Sequence, residues 1–267
     1  FKFVQETEKV GFREAVELLS RRAGIAVPDT RASGIERGVK SRLLDALDAA
    51  ATAYEQWLGD PVTGASARAY LERRGITRDT TRAFRLGVAP AGWEHLVQRL
   101  RERAPAEVLV QAGLAMPRGG EEGRPARGGI YDRFRNRLMV PLVAPGGAVI
   151  GFGARALAEE DQPKYLNSPE TPVYKKGAFL FALEQARKKV GPEDEMIVVE
   201  GYFDAIALHQ AGLPNTVATS GTALTPDQAR LLRRVVGRVA LTYDGDAAGR
   251  EAMMRSLGVL LGEGLEV

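Results

Sequence analysis

The chain of 267 residues contains no cysteine and only two histidines, His95 and His209. The absence of cysteine excludes disulfide bonds, thiolate nucleophiles and Cys-ligated zinc within these residues, and two histidines do not favour a histidine-rich metal site. No apolar run approaches the length of a membrane span and no charged-then-apolar leader opens the chain, so nothing indicates insertion or export. The composition, 45% hydrophobic and 27% charged, is ordinary for a soluble globular protein with one large or two smaller domains.

Basic and acidic residues are unevenly distributed along the chain. The formal net charge is only +3, but residues 118–189 carry 13 Lys or Arg against 8 Asp or Glu, a local charge of +5, and the rest of the chain sums to −2. A basic middle followed by acidic turns suits a channel that holds nucleic acid beside a metal site. A solvated basic face is the alternative, and charge alone does not decide between the two.

Hydrophobic periodicity indicates a helical first half. An amphipathic helix is predicted around residues 12–19, ending near Gly24, and residues 28–38 are predicted to be a linker. Trp57 and Trp93 lie among apolar helical positions and are predicted to belong to the core. The further predicted helices cover residues 41–58, 67–74, 77–84, 93–103 and 105–112.

The hydrophobic period changes after residues 117–129, a Gly/Arg-rich stretch predicted to be a mobile loop. Residues 138–143 and 148–152 are predicted to form a hairpin over the turn at 145–147. Pro141 would place the first of these strands at a sheet edge or a bulge, because proline lacks the N–H that a central strand needs.

The most informative feature is a pair of acidic turns, each at the end of a short apolar run. Residues 196–199 run into Glu200, and residues 239–243 run into Asp244-Gly245-Asp246. Together with a strand at 216–219 and helices at 204–210, 226–236 and 247–261, this order predicts parallel strands with right-handed crossovers. The carboxyl ends of such strands line one crevice, where ligands bind. Three carboxylates there repel one another unless a hard divalent cation lies between them, so we expect metal-dependent phosphate chemistry.

The acidic residues also have simpler interpretations. Asp246 stands where it could cap the last helix, and Asp204 where it could cap the helix after Glu200, so capping stays an alternative for both. A calcium-binding loop at Asp244 is set aside, because residues 247–250 lack the later acidic ligands of such a loop.

Several motifs, in a fixed order, resemble those of a known family. Residues 199–204 and 243–249 resemble the TOPRIM module of primases and topoisomerases, and residues 131–141 and 163–171 narrow the resemblance to bacterial DnaG-type primases. The stretches 151–155 and 174–177 also match, so the resemblance covers nearly the whole chain. It implies an α/β fold, with an α+β N-terminal subdomain followed by a TOPRIM-type βαβαβ parallel-sheet module. The implied division is a helix and linker at 1–38, the basic subdomain of the primase core at 39–190, and the TOPRIM module at 191–267.

The resemblance also implies roles for individual residues. Glu200, Asp244 and Asp246 match the family's metal-binding acids and Asp204 its neighbouring acid, so all four are expected to be catalytic. The implied ion is Mg²⁺, with Mn²⁺ able to replace it, and zinc is expected only in the family's N-terminal domain, which these residues do not include. The residues that match nucleic-acid- or nucleotide-contacting positions are Arg133, Arg135, Arg137, Arg155, Lys164, Asn167, Lys175 and Lys176.

The spacing of three of these arginines is informative without the resemblance. Arg133, Arg135 and Arg137 alternate along the chain, and on an extended backbone their guanidinium groups would project to one face. Guanidinium binds phosphate in a bidentate manner, which suits a surface that follows a nucleic-acid backbone. Arginines that merely coat the solvent face of a sheet are the alternative.

The function that the resemblance implies is DNA-templated synthesis of short RNA primers from nucleoside triphosphates (NTPs) for DNA replication. The implied partners are a single-stranded DNA template, NTPs, the RNA–DNA heteroduplex and, through a further C-terminal domain, the replicative helicase, in the bacterial cytoplasm and without a membrane. One alternative is phosphodiester cleavage by a TOPRIM nuclease or topoisomerase, although the basic motifs do not belong to the topoisomerase pattern. The other alternative is a single-stranded-DNA-binding module without catalysis.

The ends of the chain lead to a further expectation. The chain opens on Phe1-Lys2-Phe3 without an initiating Met, and the family's further acidic motif does not appear before Val267. We therefore expect a primase core truncated at both ends, which binds single-stranded DNA but holds Mg²⁺ weakly and makes primers poorly until the missing acids are restored.

Overall fold

The structure is a computed structural model that describes residues 1–23, 34–119, 129–221 and 223–267. It divides into two units, one formed by the described residues of 1–28 with 143–147 and 175–267 (the C-terminal unit), the other by those of 29–142 with 148–174 (the central unit). The helices are α1 Lys2–Glu8, α2 Phe12–Ala23, α3 Gly34–Gly59, α4 Ala65–Arg73, α5 Arg78–Ala83, α6 His95–Leu100, α7 Ala106–Gln111, α8 Leu183–Ala186, α9 Tyr202–Gln210, α10 Pro226–Arg233 and α11 Ala247–Gly262. The strands are β1 Gly87–Ala89, β2 Ala115–Pro117, β3 Ile130–Asp132, β4 Arg137–Val143, β5 Val149–Ala156, β6 Tyr165–Asn167, β7 Glu195–Val199, β8 Thr216–Ala218 and β9 Arg238–Leu241.

The central unit packs the long helix α3 against a four-stranded sheet of order β1-β4-β5-β6. Tyr54 of α3 is buried against Phe152 of β5, with the two rings edge to face and their centroids 5.3 Å apart. A Cβ on Gly87 of β1 would lie 2.5 Å from the Cβ of Tyr54, so only glycine allows this close approach of strand and helix. A separate antiparallel pair, β2 and β3, completes the strands of the unit.

The C-terminal unit is built on a parallel sheet of order β8-β7-β9, with β7 in the centre. Its core comes from apolar residues of the strands and of the helices that cross over between them, including Met196, Val198, Val217, Leu232 and Leu260. Beyond α11 the last residues turn back along β9, where Glu266 forms a parallel bridge with Arg238. The predicted α/β fold with a βαβαβ module is confirmed.

Several predicted boundaries change in the structure. The predicted linker is wrong for residues 34–38, because α3 already begins at Gly34. Its other residues, 28–33, lie outside the described residues, as does most of the predicted loop at 117–129. The last strand ends at Leu241 rather than at residue 243. Pro141 lies in a strand with neighbours on both sides, but β1 pairs only with residues 137–139, so the missing N–H of Pro141 falls outside that pairing. In the described ranges no helix is long and apolar enough to cross a membrane.

Candidate functional site

Two of the predicted acids meet at the carboxyl edge of the parallel sheet. Glu200 directly follows β7, and the pairing of β7 with β9 continues past the strand end through the Thr242 N–H, which donates to the Val198 carbonyl oxygen at 2.9 Å. The main-chain N–H of Asp244 donates to Oε1 of Glu200 at 3.0 Å. The strand order therefore brings these two residues together, because β7 and β9 are adjacent and parallel.

Asp246 caps the helix that follows. Its Oδ1 accepts a hydrogen bond from the Gly249 N–H at 2.7 Å, which makes Asp246 the N-cap of α11. A Cβ on Gly249 would lie only 2.1 Å from the Asp244 carbonyl oxygen, so the acidic turn folds tightly onto the first turn of α11. The guanidinium of Arg250 donates to the Gly245 carbonyl oxygen and closes the same turn.

Asp204 also makes a capping contact. Its Oδ2 accepts a hydrogen bond from the Gly201 N–H at 3.1 Å, across the first turn of α9. The simpler interpretation, that Asp204 and Asp246 cap helices, is therefore present in the structure for both residues. Capping occupies one carboxylate oxygen of each and does not exclude a second role for the other oxygen.

The donor chemistry at this edge suits a hard divalent cation, because Glu200, Asp244 and Asp246 offer only carboxylate oxygens and are at least partly exposed. Their arrangement fits less well. Among the residues that the structure describes, no three acidic or histidine side chains are placed so that they could hold one metal ion. The predicted convergence of the three acids is therefore wrong for this conformation, because the carboxylate of Asp246 points to the N-terminus of α11.

Tyr243 connects this edge to its surroundings. Its hydroxyl lies 3.1 Å from Oγ of the buried Ser256 in α11. Burial raises the pKa of the Tyr243 phenol, and the negative charge of Glu200 raises it further. At the exit of β8, the Ser220 N–H donates to the Glu200 carbonyl oxygen at 2.9 Å. All three strand ends are thus tied together around Glu200.

The three alternating arginines do not lie on an extended chain, so that prediction is wrong. Residues 133–136 lie between β3 and β4, and Asn136 adopts a left-handed backbone conformation with φ 49°. Arg133 contacts the sulfur of Met116 at 3.7 Å. Arg137 is only 5% exposed, and its guanidinium donates to the carbonyl oxygens of Pro163 at 2.7 Å and Asp161 at 3.3 Å.

Arg135 instead belongs to a partly exposed group of aromatic and cationic side chains, which we call the Trp93 cluster (Trp93, Tyr131, Arg135 and Arg118). The guanidinium of Arg135 lies 4.2 Å from the centroid of the Trp93 ring and 5.4 Å from that of Tyr131. Arg118 lies 5.8 Å from the Tyr131 ring. Trp93 is 57% exposed, so its predicted place in the core is wrong, whereas Trp57 is partly buried beside Tyr54.

A second group of the same kind lies around β6 and contains two further basic candidates, Arg155 and Lys164. Arg155 lies 4.5 Å from the Tyr70 ring and 5.7 Å from the Tyr165 ring, and the Lys164 ammonium lies 6.0 Å from Tyr165. Tyr165 is 45% exposed. Asn167, the last residue of β6, pairs with Gly153 of β5. We call Tyr70, Arg155, Lys164 and Tyr165 the Tyr165 cluster.

Lys175 and Lys176 belong to the C-terminal unit, whereas the other basic candidates belong to the central unit. Lys175 is exposed, and Lys176 begins a single 3₁₀ turn, Lys176–Ala178. Sequence reasoning missed the aromatic partners Trp93, Tyr131 and Tyr70. The available signal for Trp93 was its position directly after Pro90-Ala91-Gly92, a turn sequence that does not continue a buried helical face.

Comparisons with known proteins agree with this arrangement. Residues 54–187 match the model of the DNA primase catalytic core N-terminal domain, and residues 194–267 match that of the Toprim domain. The chain is 39% identical to the DNA primase of Halalkalibacterium halodurans over 272 residues, which cover 100% of this chain and 44% of that protein. It is 40% identical to the DNA primase of Escherichia coli K12 over 259 residues, which cover 96% of this chain and 43% of the relative.

Solved structures show the same similarity. A DnaG primase catalytic domain bound to ssDNA has a TM-score of 0.75 and 39% identity, and the match covers 84% of this chain and 68% of that one. The zinc-binding and RNA polymerase domains of the Aquifex aeolicus primase have a TM-score of 0.76 and 36% identity over 99% of this chain and 62% of that one. The chain spans less than half the length of the curated relatives named above. Its two matched regions, its identity to these relatives and its acidic sheet edge show that the chain belongs to the DnaG-type DNA primase family, with the family's catalytic core and Toprim domain.

Proposed function

We propose that this chain is the part of a DNA primase that synthesises short RNA primers from NTPs on a single-stranded DNA template, by metal-dependent nucleotidyl transfer. The observation that carries the proposal is the meeting of Glu200 and Asp244 at the carboxyl edge of two adjacent parallel strands. Ligands bind at this edge in parallel sheets, and the chain matches primases along almost its whole length.

The acids supply the metal-binding part of the proposal. Glu200, Asp244 and Asp246 would hold the divalent ion, with Asp204 beside them. When bound, Mg²⁺ or Mn²⁺ orients the triphosphate and offsets negative charge on the leaving pyrophosphate. Glu200 and Asp244 already lie together, whereas Asp246 would use the carboxylate oxygen that does not cap α11 or would leave the cap.

The two aromatic clusters supply the template-binding part. An exposed aromatic ring can stack on a base without sequence preference, and a neighbouring guanidinium can bind phosphate. Trp93 with Arg135, and Tyr165 with Arg155 and Lys164, combine both groups. Stacking is worth about 1–3 kcal/mol per base, so each cluster would contribute a substantial share of the affinity for single-stranded DNA.

Finer parts of the proposal concern the whole protein. They include the division into 1–38, 39–190 and 191–267 and a zinc-binding domain outside these residues. They also include the RNA–DNA heteroduplex as a further ligand and the replicative helicase as a partner at the replication fork. They rest on the likeness to primases.

The assay combines the chain with labelled ribonucleotides, a single-stranded DNA template and Mg²⁺. Labelled primers, even in low yield, support the proposal, cleaved DNA would favour a nuclease, and retention of the template without any product would favour a binding module. Glu200→Gln is expected to abolish product. Glu193→Gln is the matched control, because Glu193 is an exposed glutamate that precedes β7 and so lies at the opposite edge of the same sheet. Equal loss in both variants would argue against an active site at the carboxyl edge.

A further inference from the structure

The 3₁₀ turn Lys176–Ala178 is held by two side chains at the start of α10. Nε2 of Gln228 donates to the Phe179 carbonyl oxygen at 2.7 Å and to the Lys176 carbonyl oxygen at 3.5 Å. Oγ1 of Thr225 donates to the Gly177 carbonyl oxygen at 2.5 Å. These bonds join segments 48 to 52 residues apart in the chain, so they are tertiary contacts and not local turn bonds.

The same two side chains also form the capping box of α10. The Gln228 N–H donates to Oγ1 of Thr225 at 3.1 Å, and the Thr225 N–H donates to Oε1 of Gln228 at 3.0 Å. Gln228 thus uses Oε1 for the cap and Nε2 for the Lys176–Ala178 turn, whereas the single hydroxyl of Thr225 accepts in the cap and donates to the turn. A capping box alone requires only the first set of bonds.

Burial couples the cap and the turn. Gln228 is 0% exposed, so its amide has no access to water. If the turn left this position, the Nε2 donors would remain buried without acceptors, which costs more than an average hydrogen bond contributes. The turn is therefore expected to stay docked whenever α10 is formed.

The position of the turn in the fold gives the coupling a functional meaning. Because α10 follows the parallel strand β8, its N-terminus lies at the carboxyl edge of the sheet, the same edge as Glu200 and Asp244. Just beyond the turn, Phe181 exchanges two main-chain hydrogen bonds, of 2.9 and 3.1 Å, with Ala218, the last residue of β8. Lys176 therefore lies at the edge of the sheet where the proposed reaction takes place.

We propose that Thr225 and Gln228 are positioning residues for the NTP: they hold the Lys176 turn at the acidic sheet edge, so that the lysine meets the triphosphate. The inference rests on the proposed function, because it takes the triphosphate as the anion that Lys176 binds. Gln228 and Thr225 touch no substrate themselves and act through the main chain of the turn.

The test measures the affinity of the 267-residue chain for ATP in the presence of Mg²⁺, by direct titration, in four variants. Gln228→Met keeps the volume but removes the amide, and Thr225→Val keeps the shape but removes the hydroxyl. Thr225→Ser keeps the hydroxyl and should restore the wild-type value. Thr77→Val is the matched control, because Thr77 caps α5 through the Thr80 N–H but does not contact the Lys176 turn.

Gln228→Met and Thr225→Val are expected to weaken ATP binding about two- to tenfold, which corresponds to the free energy that one hydrogen bond contributes. In primer synthesis the same factor should appear in KM for NTP, while kcat and the affinity for single-stranded DNA stay close to wild type. Amide hydrogen exchange should accelerate at residues 178–181. Thr77→Val should lower the melting temperature without changing the ATP affinity.

A double variant that also carries Lys176→Ala distinguishes a positioning role of Gln228 from a general loss of structure. In Lys176→Ala, the further change Gln228→Met should have no additional effect on ATP affinity, because the side chain that it positions is gone. An undiminished effect in that background, or unchanged ATP affinity in Gln228→Met, would overturn the inference while primer synthesis by the wild type still stands. If the wild-type chain neither binds ATP nor makes primers, the proposed function fails and the inference falls with it.

Discussion

Asp246 allows the capping role and the metal-binding role to be separated by substitution. Its Oδ1 accepts the Gly249 N–H at 2.7 Å, and it is the N-cap of the 16-residue helix α11. Asparagine caps a helix about as well as aspartate, whereas alanine does not cap it. Asparagine, however, lacks the negative charge with which aspartate attracts a hard cation, so it is the weaker ligand. Asp246→Asn should therefore keep the fold and lose the chemistry, and Asp246→Ala should lose both.

The expected magnitudes follow from the single capping bond. Replacing an N-cap aspartate by alanine costs about 1 kcal/mol, and loss of its charge at the helix N-terminus adds about 0.5 kcal/mol at an exposed position. For a chain of this length, each kcal/mol shifts the melting temperature by roughly 2–4 °C. Asp246→Ala should therefore melt about 3–6 °C below wild type, and Asp246→Asn no more than about 2 °C below it. Loss of a metal ligand worth about 3 kcal/mol in the transition state lowers the rate about 100-fold in both variants.

Thermal unfolding followed by circular dichroism and primer synthesis with labelled ribonucleotides measure the two effects on the same samples. Titration with Mn²⁺ provides a readout of ion binding that does not depend on turnover. Normal primer synthesis by Asp246→Asn would show that Asp246 is only a cap. An unchanged melting temperature in Asp246→Ala would show that the bond to Gly249 contributes nothing, and the geometric argument for the cap would be wrong.

Three further predictions, made with four substitutions, test other parts of the structure. Lys164→Ala should reduce the slope of log K against log salt concentration for single-stranded DNA binding by roughly one unit. Arg137→Ala removes a buried guanidinium and should mainly lower the melting temperature. An equal change of slope in both variants would contradict this distinction. Gly249→Ala should destabilise the chain by at least about 1 kcal/mol and stop primer synthesis, because the new Cβ would clash with the Asp244 carbonyl oxygen, and wild-type stability would count against that clash. Burial lowers the pKa of His209 from its ordinary value of 6.5, so the unfolded chain takes up the proton first as the pH falls. The free energy of unfolding should therefore decrease as the pH drops below 6.5. In urea unfolding, His209→Gln should lose this part of the pH dependence, and a pH profile identical to that of the wild type would disprove the argument.

The parallel sheet could be predicted from the sequence because two independent signals agreed. The apolar runs before Glu200 and Asp244 are too short for helices, and each is followed by a helical pattern. Parallel order then follows from the short connections, and the meeting of the two acids follows from parallel order. The hydrophobic pattern predicts the topology, and the topology places both acids at one edge of the sheet. The pattern does not predict the local hydrogen bonds that set the direction of the Asp246 carboxylate.

The Trp93 cluster shows the opposite case. Trp93 falls among apolar positions, and apolar neighbours predict burial, yet α6 begins only at His95 and the indole stands outside it. What stabilises the exposed ring is Arg135, which comes from the irregular segment after β3. Asn136 makes that segment irregular through its left-handed conformation, and asparagine is one of the few residues that adopt it readily. The alternation of arginines therefore predicted an extended chain at a position where one residue interrupts it.

At the acidic edge, each of three carboxylates is held by a backbone N–H group. In the structure, Glu200 accepts the Asp244 N–H, Asp246 accepts the Gly249 N–H and Asp204 accepts the Gly201 N–H. Each of these backbone groups directs the positive end of a dipole at a carboxylate, and two of the three belong to helix N-termini, where such dipoles add up. The capping contacts of Asp246 and Asp204 are therefore compatible with the proposed catalytic role. These backbone N–H groups set the loops in place, so an ion that binds there would meet Glu200 and Asp244 already held at the ends of β7 and β9.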